Sequence, residues 1–217
     1  MSTVAVIDYG MGNLHSMAKA LEHVCPDHVR IEVTNDRDTI LAAERIVFPG
    51  QGAARDCMHE IHEQGLGPVI LEAARNKPFF GVCMGMQVLL AHSEEGGGTD
   101  CLGFYPGDVR FFGRGHFDAR TKERLKIPQM GWNTVRQTQH HPLWEAIPND
   151  SWFYFVHSYY VDPDDSALVA GTTDYTRLYP SALAGGNVFA VQFHPEKSQR
   201  AGLQLLTNFL RWDGKAS

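Results

Sequence analysis

Pro78-Phe79-Phe80-Gly81-Val82-Cys83-Met84-Gly85-Met86-Gln87 is the stretch on which the fold turns. Phe79 to Val82 is a short uncharged run, the pattern of a strand buried on both faces. Beyond Cys83, apolar residues recur at Met86, Leu89 and Leu90 with a helical period. The join, Gly81-Val82-Cys83-Met84-Gly85, sets a nucleophile between two glycines. Glycines there permit the tight strand-to-helix turn that lifts a side chain off the top of a sheet. A cysteine at that apex faces the first backbone N–H groups of the helix, which favour a thiolate and a developing oxyanion. The same five residues also describe a small cysteine packed in a core between two glycines.

The strand–turn–helix cycle recurs upstream. Thr3 to Ile7 is β-branched and apolar, breaks at Asp8-Tyr9-Gly10-Met11-Gly12-Asn13, and gives way to Leu14, Met17, Leu21 and Val24 at helical spacing. Arg45 to Phe48 ends in Pro49-Gly50-Gln51-Gly52 and leads to a helix with Ala54, Cys57, Met58 and Ile61 on one face. After Gly96-Gly97-Gly98 the strands become aromatic and closely spaced: Val109–Phe112, Trp152–Val156, Leu168–Ala170 and Val188–Phe193. Turn signals such as Gly185-Gly186-Asn187 predict antiparallel pairing there. A last helix is predicted over 201–212, with Leu203, Leu206 and Leu210 inward. The fold class expected is α/β: a mostly parallel central sheet flanked by helices, with additional antiparallel strands in the C-terminal half, as one domain over residues 1–217.

Composition narrows the function. With 43% hydrophobic and 20% charged residues in 217, the chain has enough apolar mass for a real core. A formal charge of −6 repels phosphate backbones, so nucleic acid is not an expected partner. The most apolar segment, Phe79 to Ala91, is broken by Gln87 and is shorter than the ~20 residues of a membrane helix, so no membrane role is expected. Cys25, Cys57, Cys83 and Cys101 contain no C-x-x-C pair, which fits reduced thiols in a cytoplasmic protein.

Cys83 needs a base, and Phe193-His194-Pro195-Glu196 supplies one at the end of a predicted strand. Glu196, two residues on, is placed to orient the ring and stabilise its charged form. Elbow, Pro-Gly-x-Gly loop and late Phe-His-Pro-Glu together resemble a class I (triad-type) glutamine amidotransferase over nearly the whole chain, in a flavodoxin-like fold. Asp8 to Leu14, Pro128-Gln129-Met130-Gly131-Trp132-Asn133 and His194 to Ser198 are similar to the members of that class that serve L-histidine biosynthesis. The resemblance implies Cys83 as nucleophile on L-glutamine, His194 as base and then acid, and Glu196 as its support. It implies oxyanion donors at the Met84 N–H and in the Gly50-Gln51-Gly52 loop, and substrate contacts from Gln87, Glu95, Ser158 and Tyr159. It further implies a heterodimer with a (β/α)₈-barrel synthase subunit that receives the ammonia, with Asn13, Met130, Trp132, Asn133 and Lys197 at the interface or gate. No metal or organic cofactor is implied.

Other signals are set aside. His59-Glu60-Ile61-His62-Glu63 misses the zinc spacing by one residue and reads as the wet face of a helix. His140-His141-Pro142 reads as a turn, and Gly96 to Gly98 as a flexible connection. The basic run Arg110, Arg114, Arg120, Lys122, Arg124 and Lys126, interleaved with Asp118 and Glu123, reads as an exposed hairpin, with an electropositive docking rim as the sharper alternative. Cys25, Cys57 and Cys101 are expected to be structural or bystander thiols, since none sits at a strand-to-helix turn. Three functions compete with the histidine-pathway glutaminase. One is a paralogue feeding a sugar-amine or surface-polysaccharide synthase, another a non-catalytic α/β module, and the third a protease-like relative. Intact Cys83, His194, Glu196, Gln87 and Gly52 speak against the second, and Gln87 with Met130–Asn133 against the third.

Overall fold

Strand β1 (Ser2–Ile7) is apolar for the same reason that it is central: Val4 to Ile7 are fully buried. The structure, a computed structural model, describes residues 2–115, 117, 122 and 124–215. After β1 comes α1 (Leu14–Val24), capped by the Asn13 side chain, which accepts from the Ser16 N–H. The alternation continues through β2 (Val29–Thr34), α2 (Arg37–Ala42), β3 (Arg45–Gly50), α3 (Ala54–Glu63), α4 (Gly67–Asn76), β4 (Phe79–Cys83) and the single turn α5 (Met84–Gln87). Then come β5 (His92–Ser93), β6 (Thr99–Asp100), β7 (Gly107–Phe111), β8 (Gln129–Gln137), β9 (Ser151–His157), β10 (Tyr159–Pro163), β11 (Val169–Asp174), β12 (Leu178–Gly185), β13 (Val188–Val191) and α6 (Gln199–Arg211).

Nine strands form the main sheet in the order β2-β1-β3-β4-β13-β12-β11-β8-β9. The first five are parallel, in the flavodoxin-like order, and the remaining four pair antiparallel. Right-handed crossovers over this order put α1 and α2 on opposite faces, so the inner parallel strands are largely apolar, while β2 at the edge is not. Phe80, buried in β4, stacks on Phe189 of β13 at 6.3 Å and on Phe209 of α6 at 5.2 Å between ring centres. A smaller sheet, β10-β7-β5-β6, lies beside the main one. The outer edge at β9 is not bare. The Tyr154 N–H donates to Ser198 Oγ at 3.0 Å, and the Tyr154 carbonyl accepts from the His194 N–H at 2.9 Å.

The architecture is the one read from the sequence, with local differences. The helix expected to run from the elbow through Leu90 stops at Gln87. The carbonyls of Val88, Leu89 and Leu90 accept from the N–H groups of Leu102, Tyr105 and Gly103, which leaves none for further helical bonds. Strand β13 ends at Val191 rather than Phe193: the Gln192 N–H still donates to the Ser181 carbonyl of β12, but by His194 the backbone has turned to β9. Helix α6 starts at Gln199 and buries Leu205, Leu206 and Phe209; Leu203 is only half-buried. Leu168 closes a short 3-10 turn and the strand begins at Val169. His141 lies in the expected loop, just ahead of the 3-10 turn Pro142–Trp144, but it is buried. It is 6% exposed, packed between Phe189 and Trp212, and burial pushes its pKa down to about 4. His59, His62 and Glu63 face solvent on α3, and no cluster able to hold a metal occurs among the described residues. Of the basic run, Arg110 is bound by Asp162, Asp108 and Glu94, so it presents no free charge to a partner. Phe117 and Arg124 form an isolated bridge, while Asp118, Arg120 and Glu123 lie outside the described residues.

Candidate active site

Cys83 is the last residue of β4, and its backbone takes φ +56° and ψ −110°, a region that L residues other than glycine rarely occupy. Such strain persists only where neighbours enforce it, and here they do. A Cβ on Gly85 would land on the Phe48 carbonyl oxygen, so only glycine lets the turn after the elbow sit against β3. In the sheet register Gly50 lies directly beside Cys83. Its missing side chain leaves room for the Tyr9 hydroxyl and the Met84 side chain, which a Cβ would strike.

The neighbouring strand delivers the base. β13 runs parallel to β4, and three residues past its end His194 reaches back to the elbow. Its Nδ1 lies 2.9 Å from Glu196 Oε1, with both side chains almost wholly out of solvent. Its ring is also electrostatically coupled to Cys83. Burial works against a charged imidazole, but the interactions with Cys83 and Glu196 outweigh it and push the His194 pKa up to about 10.

Cys83 and His194 line a pocket of about 410 Å³ at the carboxyl ends of β3, β4 and β13. Of the residues singled out in the sequence, Cys83, Met84, His194, Gln51, Gly52, Gln87, Glu95, Ser158, Tyr159 and Lys197 all line it. Glu196 and Gly50 lie just behind, around a smaller cavity that also touches Asn13. Glu95 Oε2 accepts from the Ala54 N–H at 2.6 Å and so fixes the start of α3 to the pocket wall. The Gln51 carbonyl accepts from the Cys57 thiol at 3.4 Å, which gives Cys57 the structural one of its two expected roles, under the loop. Burial pushes that thiol up to about 11, so it stays neutral. Met130 and Trp132 lie outside the pocket, 65% and 42% exposed, which rules out a core-anchor role for Trp132. Asn133 falls on the opposite face of β8, where its Nδ2 donates to the Asp174 carbonyl at 2.9 Å.

Two residues of the site escaped the sequence reading. Gln192, fully buried, contacts Cys83, and His157 lines the pocket with its Nδ1 donating to the Tyr159 carbonyl at 2.7 Å. Burial pushes His157 down to about 4, aided by His194 opposite. The available signal for Gln192 was a polar residue closing an otherwise apolar strand two positions before His194.

The family model for glutamine amidotransferase class-I matches residues 5–212. This chain belongs to that class. Solved structures agree on the fold: one described as PurLQS from Thermotoga maritima superposes with a TM-score of 0.69 at 18% identity, covering 97% of this chain and 98% of that one. Another, described as glutamine amidotransferase, gives 0.69 at 14% identity over 96% of this chain and 99% of that one. Curated relatives are nearer. Imidazole glycerol phosphate synthase subunit HisH of Methylococcus capsulatus is 59% identical, with 98% of each chain covered. The subunits of the same name from Nitrosococcus oceani (99% of each chain covered) and Pseudomonas putida (99% of this chain, 100% of the relative) are 56% and 55% identical. Within the class, the chain is a member of the HisH family.

Proposed function

We propose that the chain, acting as one glutamine amidotransferase domain over residues 1–217, hydrolyses L-glutamine through Cys83, His194 and Glu196. The ammonia passes to a (β/α)₈-barrel cyclase subunit, HisF, in a cytoplasmic heterodimer of imidazole glycerol phosphate synthase. The observation that carries the reading is the strained Cys83 apex, sharing a pocket large enough for an amino acid with His194, whose ring is held by buried Glu196. Four free cysteines fit a reducing compartment, and no described helix is long and apolar enough to cross a membrane.

The steps follow from these positions. The Cys83 sulfur, its proton on His194, attacks the side-chain amide carbon of glutamine, and the carbonyl electron pair moves onto oxygen. That oxyanion is received by the Met84 N–H and an N–H of the Gly50-Gln51-Gly52 loop. Collapse breaks the C–N bond as His194 gives its proton to the departing nitrogen, leaving ammonia and a thioester on Cys83. Water, deprotonated by His194, then opens the thioester to glutamate and restores the starting pair. Glu196 holds the imidazole in the orientation both transfers need. Gln87, Glu95, Ser158 and Tyr159 take the α-amino and α-carboxylate end. Asn13, Met130, Trp132, Asn133 and Lys197 serve the partner and its gate.

Glutamate release by this chain, alone and with HisF, with and without the barrel's nucleotide ligand, tests the reading. Activity is expected to rise sharply only with the liganded barrel. Release that ignores HisF would keep the triad and reject the client, pointing instead to a sugar-amine or surface-polysaccharide synthase.

A further inference from the structure

Cys83 has a second polar neighbour on the side away from the oxyanion loop. Gln192 Nε2 lies 3.7 Å from the Cys83 sulfur, and Gln192 is fully buried. The direction of this contact is fixed by groups further back. The Tyr159 carbonyl has no proton to give, so the Gln87 amide must turn its NH₂ toward it, at 3.2 Å. The same NH₂ meets Gln192 Oε1 at 2.8 Å. With its oxygen so engaged, Gln192 has only its NH₂ left for the sulfur. A chain of amides therefore ends with an N–H aimed at the reacting atom.

An N–H donor bonds an anionic sulfur far better than a thiol or a thioester, because the acceptor's charge is what strengthens the bond. Resting on the assignment of Cys83 as the nucleophile, we propose that Gln192 is a further catalytic residue: it stabilises the Cys83 thiolate, both before attack and when the sulfur leaves in deacylation, and Gln87 orients it. No covalent step is added. Gln192 exchanges a weak contact in the acyl-enzyme for a charge-assisted one whenever the sulfur is negative. This gives Gln87 two duties, one toward substrate and one toward the donor.

The other titratable groups facing Cys83 do not blur this role. They are His194 with Glu196 behind it, Tyr9 from the loop after β1, Cys57 from α3, and, across the same pocket, Glu95, His157, Tyr159 and Lys197. Burial raises Tyr9 well above its ordinary value and Cys57 to about 11, so neither ionises near neutral pH.

The test is alkylation of Cys83 by iodoacetamide across pH 5–10, followed by peptide mass mapping on the full-length chain. Glutamine is absent, so a loss of substrate binding through Gln87 cannot move the readout. Adduct on Cys83 in the wild type that fades in His194→Asn supports the nucleophile assignment independently of Gln192. In Gln192→Met, close in volume but without a donor, the rate at pH 7 is expected to fall about tenfold and the profile to move to higher pH. Gln192→Asn, one methylene short, is expected to fall between the two. An unchanged profile in either folded variant overturns the proposal. If neither folds, the side-chain amide signals of Gln192 in ¹⁵N-labelled wild type decide. They are expected to shift with pH in step with Cys83 alkylation and to lose that dependence in Cys83→Ala; signals blind to pH would reject the role.

Discussion

The two halves of the main sheet solve opposite problems. In the parallel half, β1, β3, β4 and β13 are buried on both faces, and the loops at their carboxyl ends fit so closely that Gly50 and Gly85 admit no side chain. In the β8–β9 ribbon only one face is packed, by Val135, Phe153 and Phe155. Register puts Met130, Trp132, Trp152 and Tyr154 on the other, where the first three are 65%, 42% and 58% exposed. The candidate site is placed where packing is tightest. On the ribbon apolar surface stays open, a pattern that marks interaction faces.

The sharpest way to break this contrast is at the apex. Cys83→Ala is expected to lower glutamine-dependent turnover by at least about 10³-fold while the HisF complex still uses added ammonium salts. Loss of both activities would show that the elbow also shapes the partner. Next is Gly85→Ala, which forces a methyl group onto the Phe48 backbone and is expected to cost about 3 kcal/mol in urea unfolding. A cost under 1 kcal/mol would mean the parallel half is less tightly fitted than its contacts imply. On the ribbon, Trp132→Ala is expected to change the stability of the isolated chain by less than about 1 kcal/mol yet weaken HisF binding tenfold or more. The reverse outcome would make Trp132 a folding residue after all.

The smallest effect expected is in the pH dependence of stability. Between about pH 6.5 and 10 the folded chain keeps the His194 proton that the unfolded chain has released, so stability falls as pH rises through that window. Below 6.5 the sign reverses. His141 and His157, held near 4 by burial, stay neutral while their unfolded counterparts take up protons, so stability falls as pH drops toward 4. Urea midpoints at pH 5, 7 and 9 should peak in the middle, and His141→Phe should flatten only the acid limb.

Residues whose partners are local were legible in the sequence. Gly81 to Gly85 announces its own turn, and Glu196 is two residues from the histidine it supports. β2 was not, because Arg30 and Glu32 interrupt its apolar pattern at the sheet's edge, where one side of the strand meets water. Gln192 was hidden for a different reason: its orienting partner Gln87 is 105 residues away, and only the adjacency of β4 and β13 brings them together. The burial of the loop residue His141 was not legible because its shelter comes from Phe189 and Trp212, both far along the chain.

The bonds that tie Tyr154 to His194 and Ser198 have a consequence for solubility. An aromatic edge strand such as β9 is a template for strand addition by another molecule. Here the turn that carries His194 is also the plug, filling the Tyr154 N–H and carbonyl in the middle of that edge. The candidate site and the cover on that edge are one piece of chain, so Ser198→Ala is expected to raise self-association, read by light scattering.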